Sequence, residues 1–304
     1  MSDVLAGKAQ FAGGGLGEPA SVPPAGGAGA ERPDRDPMGA GAERPARSPV
    51  GAGGASDPHR VYCTAMKIVD TQIQPILAAI QASGGRPLIV GGAVRDWLRG
   101  EDVKDVDVEV YGLAIDRLAE LLAPFGRVDA VGRSFGILKL RLPGGQEIDV
   151  ALPRRESKVG VGHRGFLAEP DPTMTPREAA SRRDFTWNAL ALTPEGELLD
   201  YFGGVADLEA GIIRHTTAAF AEDPLRVLRA MQLAARLDMR LAAETAELCR
   251  ALLPEGPALA TERVWREWHK WAIKGVRPSA GLRVLTETGW IGLYPELEIG
   301  RAHV

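Results

Sequence analysis

The apolar pattern of the chain changes once along its length, and this change constrains the fold more than any other feature. Three runs with the character of β-strands lie before residue 152: Val106–Tyr111, Phe135–Leu142 and Gln146–Ala151. From about Ala218 onward, the apolar residues follow helical spacing only. Strands followed by helices predict an α+β fold, in which a head with a small mixed β-sheet and flanking helices precedes an all-helical neck.

Shorter elements complete the predicted head. Apolar residues from Ile68 to Ile80 predict a helix, Leu88–Val90 a buried strand, and residues 115–122 a second helix. Residues 154–176 are polar and predict a loop, and Arg182–Leu192 predicts a further helix. The strands after residue 135 are joined by a turn at Pro143-Gly144-Gly145.

The two ends of the chain differ in composition from the middle. The first 58 residues contain thirteen glycines and eight prolines, so they bury too little apolar surface to offset the entropy of ordering. We therefore expect a disordered tail at residues 1–60, a head at 61–216 and a neck, suited to RNA binding, at 217–304. Residues 298–304 continue no periodic pattern, and we expect the natural protein to extend further.

Composition excludes some classes of protein but leaves the partner open. No run approaches 18 apolar residues, and the first residues lack the pattern of a secretion signal. Cys63 and Cys249 are too far apart in sequence for a CxxC metal clamp. We therefore expect a cytoplasmic protein with no membrane partner. The formal net charge of −4 does not decide for or against nucleic acid, because local charge governs such binding.

A pair of glycines stands between the first strand and the helix that follows it. Gly91-Gly92 allows backbone amides to approach a phosphate at a helix N-terminus, although a tight turn explains an isolated pair equally well. Arg95 lies one turn into that helix and is a candidate clamp for a triphosphate. The stretch is therefore a candidate phosphate-binding element.

Three carboxylates are candidate ligands for divalent cations. Asp105 and Asp107 are two residues apart at the start of a strand, so both side chains point to the same face. Asp149 lies in a strand that can pair beside the first and bring a third acid to the same place. Converging acids repel unless cations neutralise them, and two Mg²⁺ ions there suit nucleotidyl transfer. Solvated acids at a strand entry are the alternative for an isolated pair.

Three segments, in this order, resemble the signature motifs of the bacterial-type tRNA nucleotidyltransferase and poly(A) polymerase family. The first is Gly91–Asp96 with Asp105 and Asp107, the second is Arg182–Leu190, and the third is Glu222–Arg229. Together they span roughly residues 86 to 240. The resemblance implies a Mg²⁺-dependent enzyme that adds CMP and AMP, from CTP and ATP, to the 3′ end of tRNA without a template.

The resemblance also implies roles for individual residues. Arg183 and Asp184 would bind the nucleotide and distinguish its ribose, and Asp223 with Arg226 would read the base. A carboxylate accepts from the amino group that cytosine and adenine share, so uracil and guanine would leave polar groups unpaired. Arg229 is expected to contact phosphate. Without the resemblance, the third motif is typical of a solvated helix face with salt bridges. Asp184 would then be an acid that caps the start of a helix.

Two other functions remain open at this stage. A poly(A) polymerase or A-adding enzyme shares these motifs, and a non-catalytic RNA-binding protein is disfavoured because the acids and arginines are all present. A departure from many relatives is Gln232, which stands where they have an arginine. In the neck, a run of basic residues can contact an acceptor stem or form an ordinary solvated face: Arg263, Arg266, Lys270, Lys274 and Arg277.

Overall fold

The computed structural model describes residues 72–103, 105–129, 136–158 and 166–297. The tail expected at residues 1–60, the glycines at 160–165 and the last seven residues lie outside these ranges. The described residues belong to one compact unit, so the boundary expected between head and neck at 216/217 stays a prediction.

A mixed sheet forms the centre of the head. Its strands are β1 (Arg86–Val90), β2 (Val106–Tyr111), β3 (Arg127–Asp129), β4 (Ile137–Arg141), β5 (Glu147–Ala151), β8 (Ala191–Leu192) and β9 (Leu198–Leu199). Their order in the sheet is β3-β4-β5-β2-β1-β8-β9, and among these described strands only β2 and β5 pair in parallel. A separate hairpin is formed by β6 (Arg154–Lys158) and β7 (Phe166–Pro170).

Helices cover the sheet and then continue alone. The head helices are α1 (Gln74–Ala82), α2 (Gly92–Leu98), α3 (Ile115–Leu122), α4 (Pro176–Ser181) and α5 (Gly204–Glu209). The neck helices are α6 (Leu225–Leu237), α7 (Ala243–Ala251), α8 (Thr261–Lys274) and α9 (Pro278–Thr288). Short 3₁₀ helices occupy Thr186–Asn188, Ala218–Glu222, Leu253–Ala258, Trp290–Leu293 and Pro295–Leu297.

The alternation of apolar and polar residues explains how the strands are buried. In β5, Ile148 and Val150 are fully buried, whereas Glu147, Asp149 and Ala151 face the other side of the sheet. The core that includes them continues through Trp187 to Met231 of α6 and Trp290, so head and neck share one apolar interior. Burying these side chains supplies the main favourable free energy of folding, at roughly 25 cal/mol per Å² of apolar surface.

The structure confirms several expected elements and corrects others. The helix at Ile115–Leu122 and the turn between β4 and β5 are as predicted. The helix expected at residues 182–192 is wrong, because a 3₁₀ turn and the short strand β8 replace it. The loop expected at 154–176 is also wrong, since it contains the β6–β7 hairpin, and helix α4 begins at its last residue.

The neck is not entirely helical. Strand β10 (Ile212–Ile213) pairs in parallel with β11 (Arg240–Leu241), which lies between α6 and α7. Trp268, Trp271 and Trp290 pack into the neck, as expected for core residues, whereas Trp265 is 65% exposed. No helix within the described ranges is long and apolar enough to cross a membrane.

Candidate active site

The glycine turn forms the floor of a cleft between the sheet and the neck. Gly91 has φ of +72°, a conformation that side-chain-bearing residues rarely adopt, and Gly92 begins helix α2. A Cβ atom at position 91 would lie 3.3 Å from Nη1 of Arg183 and 3.8 Å from Oδ2 of Asp107. The absence of a side chain therefore leaves room for a guanidinium and a carboxylate to approach the turn together.

Two of the three predicted acids are neighbours on adjacent strands. Asp107 of β2 is in register with Asp149 of β5, and this pairing confirms the expected position of the third acid. Asp105 lies immediately before β2 and is exposed. The Asp107 side chain is open to solvent on one side, yet partial burial raises its pKa, and the charges of Asp149 and Asp105 raise it further. The three acids are therefore close enough to repel one another.

The donor set fits a hard divalent cation. Among the described residues, no three acidic, histidine or cysteine side chains already converge as a preformed metal site. However, Oδ1 of Asp149 is buried without a hydrogen bond, and its nearby cation is Nζ of Lys139, 3.1 Å away in an ion pair without hydrogen-bond alignment. Carboxylate oxygens that repel one another and lack hydrogen-bond donors are suitable ligands for such an ion.

Arg183 stands beside these acids. Its Nη2 atom lies 3.2 Å from Oε1 of Glu109, two residues after Asp107 on strand β2. The pKa of Arg183 is raised: burial opposes this change, but the charges of Glu109, Tyr111 and Asp107 exceed it. The guanidinium therefore remains charged next to the glycine turn.

Asp184, by contrast, is buried and fully engaged within the protein. Its Oδ1 accepts from the backbone N–H of Phe185 at 2.9 Å and from Asn188 at 3.0 Å, and its Oδ2 accepts from Nε of Arg229 at 2.7 Å. Burial alone would raise the pKa of Asp184, but the charge of Arg229 and the bond from Asn188 lower it. Asp184 is therefore ionised and held at the head–neck contact.

The residues expected to read the base are held by protein groups. Asp223 precedes helix α6, and its Oδ2 lies 2.7 Å from Nη2 of Arg263. Arg226 is only 8% exposed and donates to the carbonyl oxygens of Ala219 and Arg182, at 2.7 and 2.8 Å. The solvated face that the sequence allowed is wrong for Arg226. Its role toward a base stays a prediction.

These groups line one cleft of about 760 Å³, within the range of small-molecule sites. Every predicted site residue except Asp105 lines it. Of the described residues in its lining, eleven are arginine or lysine and six are acidic, so the cleft favours an anionic ligand. One wall is the basic face of α8, formed by Arg263, Arg266, Lys270 and Lys274. Arg277 instead pairs with Asp238, and Gln232 is buried in the lining.

Two contacts at or near the wall of the cleft were not predicted from the sequence. Lys139 lies beside Asp149 because β4 pairs with β5 at that register; the turn between these strands was predicted, but the register was not. Arg236 lies 3.3 Å from Asp96 across 140 residues of sequence, and it also lines the cleft. A single arginine on a predicted helix carries no signal of such a partner.

The fold and the site define a class of protein: a nucleotidyltransferase-type head, with carboxylates on adjacent strands, a glycine turn and a cationic cleft. Residues 88–214 match the Poly A polymerase head domain family. Residues 88–214 therefore form a head domain of this family, as the motifs predicted. Enzymes of this kind generally use divalent metal ions.

Known proteins resemble the chain over most of its described length. The Multifunctional CCA protein of Nitrosococcus oceani is 43% identical over 213 residues, which are 69% of this chain and 50% of that protein. The structure of the Thermotoga maritima CCA-adding enzyme complexed with tRNA matches with a TM-score of 0.62 at 28% identity, over 75% of this chain and 54% of the other. A complex of a CCA-adding enzyme with CTP matches with a TM-score of 0.63 at 30% identity, over 76% and 55%. The chain thus spans about half the length of the curated relatives it matches.

Proposed function

We propose that this protein transfers CMP and AMP from CTP and ATP to the 3′ end of tRNA, without a template, and releases pyrophosphate. The observation that carries the proposal is the register of Asp107 with Asp149 at the edge of a cleft whose lining is mainly basic. The names of the relatives support CCA addition as the activity. We also infer a cytoplasmic location, where tRNA is the expected substrate.

Asp105 and Asp107 would hold Mg²⁺, with Asp149 as the third acid. When bound, Mg²⁺ would activate the attacking 3′-hydroxyl and stabilise the pyrophosphate that leaves. The 3′-oxygen forms a bond to the α-phosphorus while the bond between that phosphorus and the bridging oxygen to the β-phosphate breaks. Asp107 and Asp149 contribute by presenting their oxygens on one side of the sheet, where the strand register keeps them adjacent.

The arginines around the turn are suited to the triphosphate. Arg183 is charged beside Gly91, and the open backbone at Gly91 and Gly92 gives phosphate oxygens room to approach. Arg95 and Arg229 line the same cleft and add two further guanidinium groups. Guanidinium groups bind phosphate oxygens through paired N–H donors, which makes them stronger phosphate ligands than point charges.

Asp223 and Arg226 would select the base. Cytosine and adenine both carry an amino group that Asp223 can accept from, and Arg226 can donate to a ring nitrogen or carbonyl oxygen. The present partners of Asp223 and Arg226 hold both side chains at the cleft wall. Uracil and guanine would place a carbonyl oxygen, instead of an amino group, against the Asp223 carboxylate, at a cost of about 1–3 kcal/mol.

The basic face of α8 is suited to the RNA strand. Arg263, Arg266, Lys270 and Lys274 recur at intervals of three and four residues, so they share one side of the helix. All four line the cleft that contains the proposed catalytic acids. Phosphates of an RNA 3′ end could therefore contact α8 while the terminal hydroxyl approaches Asp107.

The test is an incubation of the protein with Mg²⁺ and tRNA that lacks its terminal CCA. CTP alone, ATP alone or both are supplied, and the products are resolved at single-nucleotide resolution. We expect two cytidines with CTP and completion to CCA with both nucleotides. A long ladder with ATP alone would replace the proposal with a poly(A) polymerase, the other activity of this family.

A matched pair of variants assigns the activity to the proposed acids. Asp107→Asn should abolish every product, whereas Glu147→Gln, on the same strand as Asp149 and paired with Arg141, should retain them. If the folded chain is inactive with every nucleotide, the same assay on a protein extended to the length of its relatives decides whether this half is sufficient. Inactivity of the extended protein would contradict the proposal.

A further inference from the structure

Six polar side chains form a continuous chain of contacts that joins the head to neck helix α6. The chain begins and ends with an arginine of α6, and its inner members come from α2 and from the segment around the 3₁₀ turn of the second motif. In order of contact, they are Arg229, Asp184, Asn188, Arg95, Asp96 and Arg236.

Asn188 is the only uncharged member, and it lies at the centre. Its Oδ1 accepts from Nη1 of Arg95 at 3.0 Å, and its Nδ2 donates to Oδ1 of Asp184 at 3.0 Å. An amide is suited to this position because it carries both an acceptor and a donor. A carboxylate there would repel Asp184, and an apolar side chain would leave Nη1 of Arg95 without this acceptor and remove one of the two donors to Oδ1 of Asp184.

Arg95 depends on this contact for its orientation. It is 4% exposed, and its Nε and Nη2 atoms both contact Oδ1 of Asp96, at 2.7 and 2.6 Å. Asn188 holds Nη1 on the other side, so the plane of the guanidinium is set from two directions. The face of the Trp187 ring lies 5.5 Å below the guanidinium carbon and restricts its remaining rotation.

Arg229 depends on the same amide indirectly. Its Nε and Nη2 atoms both contact Oδ2 of Asp184, at 2.7 and 2.6 Å. The other oxygen of Asp184 is taken by Asn188 and by the N–H of Phe185. Both oxygens of Asp184 are thus committed to protein donors, which suits a residue that orients Arg229.

We infer that Asn188 is a positioning residue: through one amide it orients Arg95 of the head and, by way of Asp184, Arg229 of the neck toward the triphosphate of the nucleotide. The inference rests on the proposed function, because it assumes that the cleft binds a nucleoside triphosphate. It assigns Asn188 no contact with the nucleotide itself. The loss of Asn188 should therefore weaken binding of the phosphates and spare binding of the base and sugar.

The experiment compares the affinities of ATP with Mg²⁺ and of adenosine by calorimetry, without RNA, for the wild-type chain and Asn188→Leu. We expect the variant to bind ATP about tenfold more weakly and adenosine within about twofold of the wild type. The ratio of the two affinities should therefore fall. A purely structural role of Asn188 would instead weaken both ligands in proportion, and that result would overturn the inference.

Thr186→Val is the matched control. Thr186 is a buried residue of the same 3₁₀ turn, and its hydroxyl donates to Asp207 at 2.7 Å, outside the chain of six contacts. The control should lose a buried hydrogen bond and keep the wild-type ratio of ATP to adenosine affinity. An equal fall of the ratio in Thr186→Val would contradict a specific role for Asn188.

A second variant keeps the test valid if Asn188→Leu does not fold. Asp96→Asn conserves volume but weakens the other support of Arg95, and we expect ATP binding about threefold weaker with adenosine unchanged. Unchanged ATP affinity in the folded variants would overturn this inference and leave the proposed function intact. A wild-type chain that binds neither ligand would contradict the proposed function and, with it, the assumption on which the inference rests.

Discussion

The acids on the sheet and the acid at the contact between head and neck have opposite surroundings. On the sheet, Asp105 and Asp107 are exposed, and Oδ1 of Asp149 has no hydrogen bond. At the contact between head and neck, Asp184 is buried, and both of its oxygens have protein donors. Burial and the charges of Asp149 and Asp105 therefore raise the pKa of Asp107 against the charge of Arg183, whereas Arg229 and Asn188 lower the pKa of Asp184 against its burial.

The difference separates two functions that sequence motifs alone do not distinguish. Acids that lack protein donors and repel one another gain most from an added cation. An acid whose oxygens are occupied by arginine and amide donors is already neutralised and holds its partners in place. We therefore expect substitutions on the sheet to affect chemistry, and substitutions at the neck to affect stability and nucleotide binding.

The largest effect is expected at the sheet. Asp107→Asn should reduce the rate of nucleotide addition by about 1,000-fold, equivalent to ~4 kcal/mol of transition-state stabilisation, because it removes a metal ligand. Thermal unfolding should show an unchanged or slightly higher melting temperature, since burial and the two neighbouring acids disfavour the charge of Asp107 more than Arg183 favours it. A large drop in the melting temperature would contradict the contrast between the two groups.

The next effect is expected at the neck. Arg229→Met should lower the free energy of unfolding by about 2 kcal/mol, less than for a fully buried pair because Arg229 is 35% exposed on its side chain. Urea denaturation measures this change. Arg277→Met, which breaks the exposed pair with Asp238, is the control and should cost under about 0.5 kcal/mol. Equal losses of unfolding free energy in Arg229→Met and Arg277→Met would show that the buried pair contributes no more to stability than the exposed pair.

A smaller effect should depend on pH. The pKa of Asp184 is lowered in the folded state, so its contribution to stability is present above the ordinary value of about 3.9 and is lost as the pH falls through the lowered value. Asp184→Asn should therefore be less stable than the wild type at neutral pH, and the difference should narrow below about pH 4. Unfolding curves between neutral and acid pH measure it. A difference in stability that stays constant with pH would show that the charge of Asp184 is not its cause.

The smallest effect is expected on the basic face of α8. Lys274→Ala should reduce the dependence of tRNA affinity on salt by about one unit of the logarithmic slope, or slightly less, for one lost phosphate contact. Filter binding over a range of salt concentrations measures this slope. Arg277→Ala, which alters a residue paired outside the cleft, should leave the slope unchanged. If both variants keep the wild-type slope, the RNA does not follow α8.

Local patterns were sufficient for the elements whose signal lies within a few residues. Helix α3 and the β4–β5 turn depend on spacing and on Pro143-Gly144-Gly145, so they could be predicted. The hairpin at β6–β7 was missed because β6 consists of polar residues only. The helix expected at 182–192 was wrong because the buried surroundings of Trp187 favour a turn and a strand there. Short-range propensity is a weak guide where tertiary packing decides the backbone.

The sequence by itself indicated the family and the order of the motifs, because each motif consists of consecutive or nearly consecutive residues. The tertiary structure decided which polar groups are free to act and which are committed to one another. Asp184 and Arg229 are 45 residues apart, and Arg95 and Asn188 are 93 apart. The first contact depends on how the neck packs against the head and the second on packing within the head, and no local pattern specifies either.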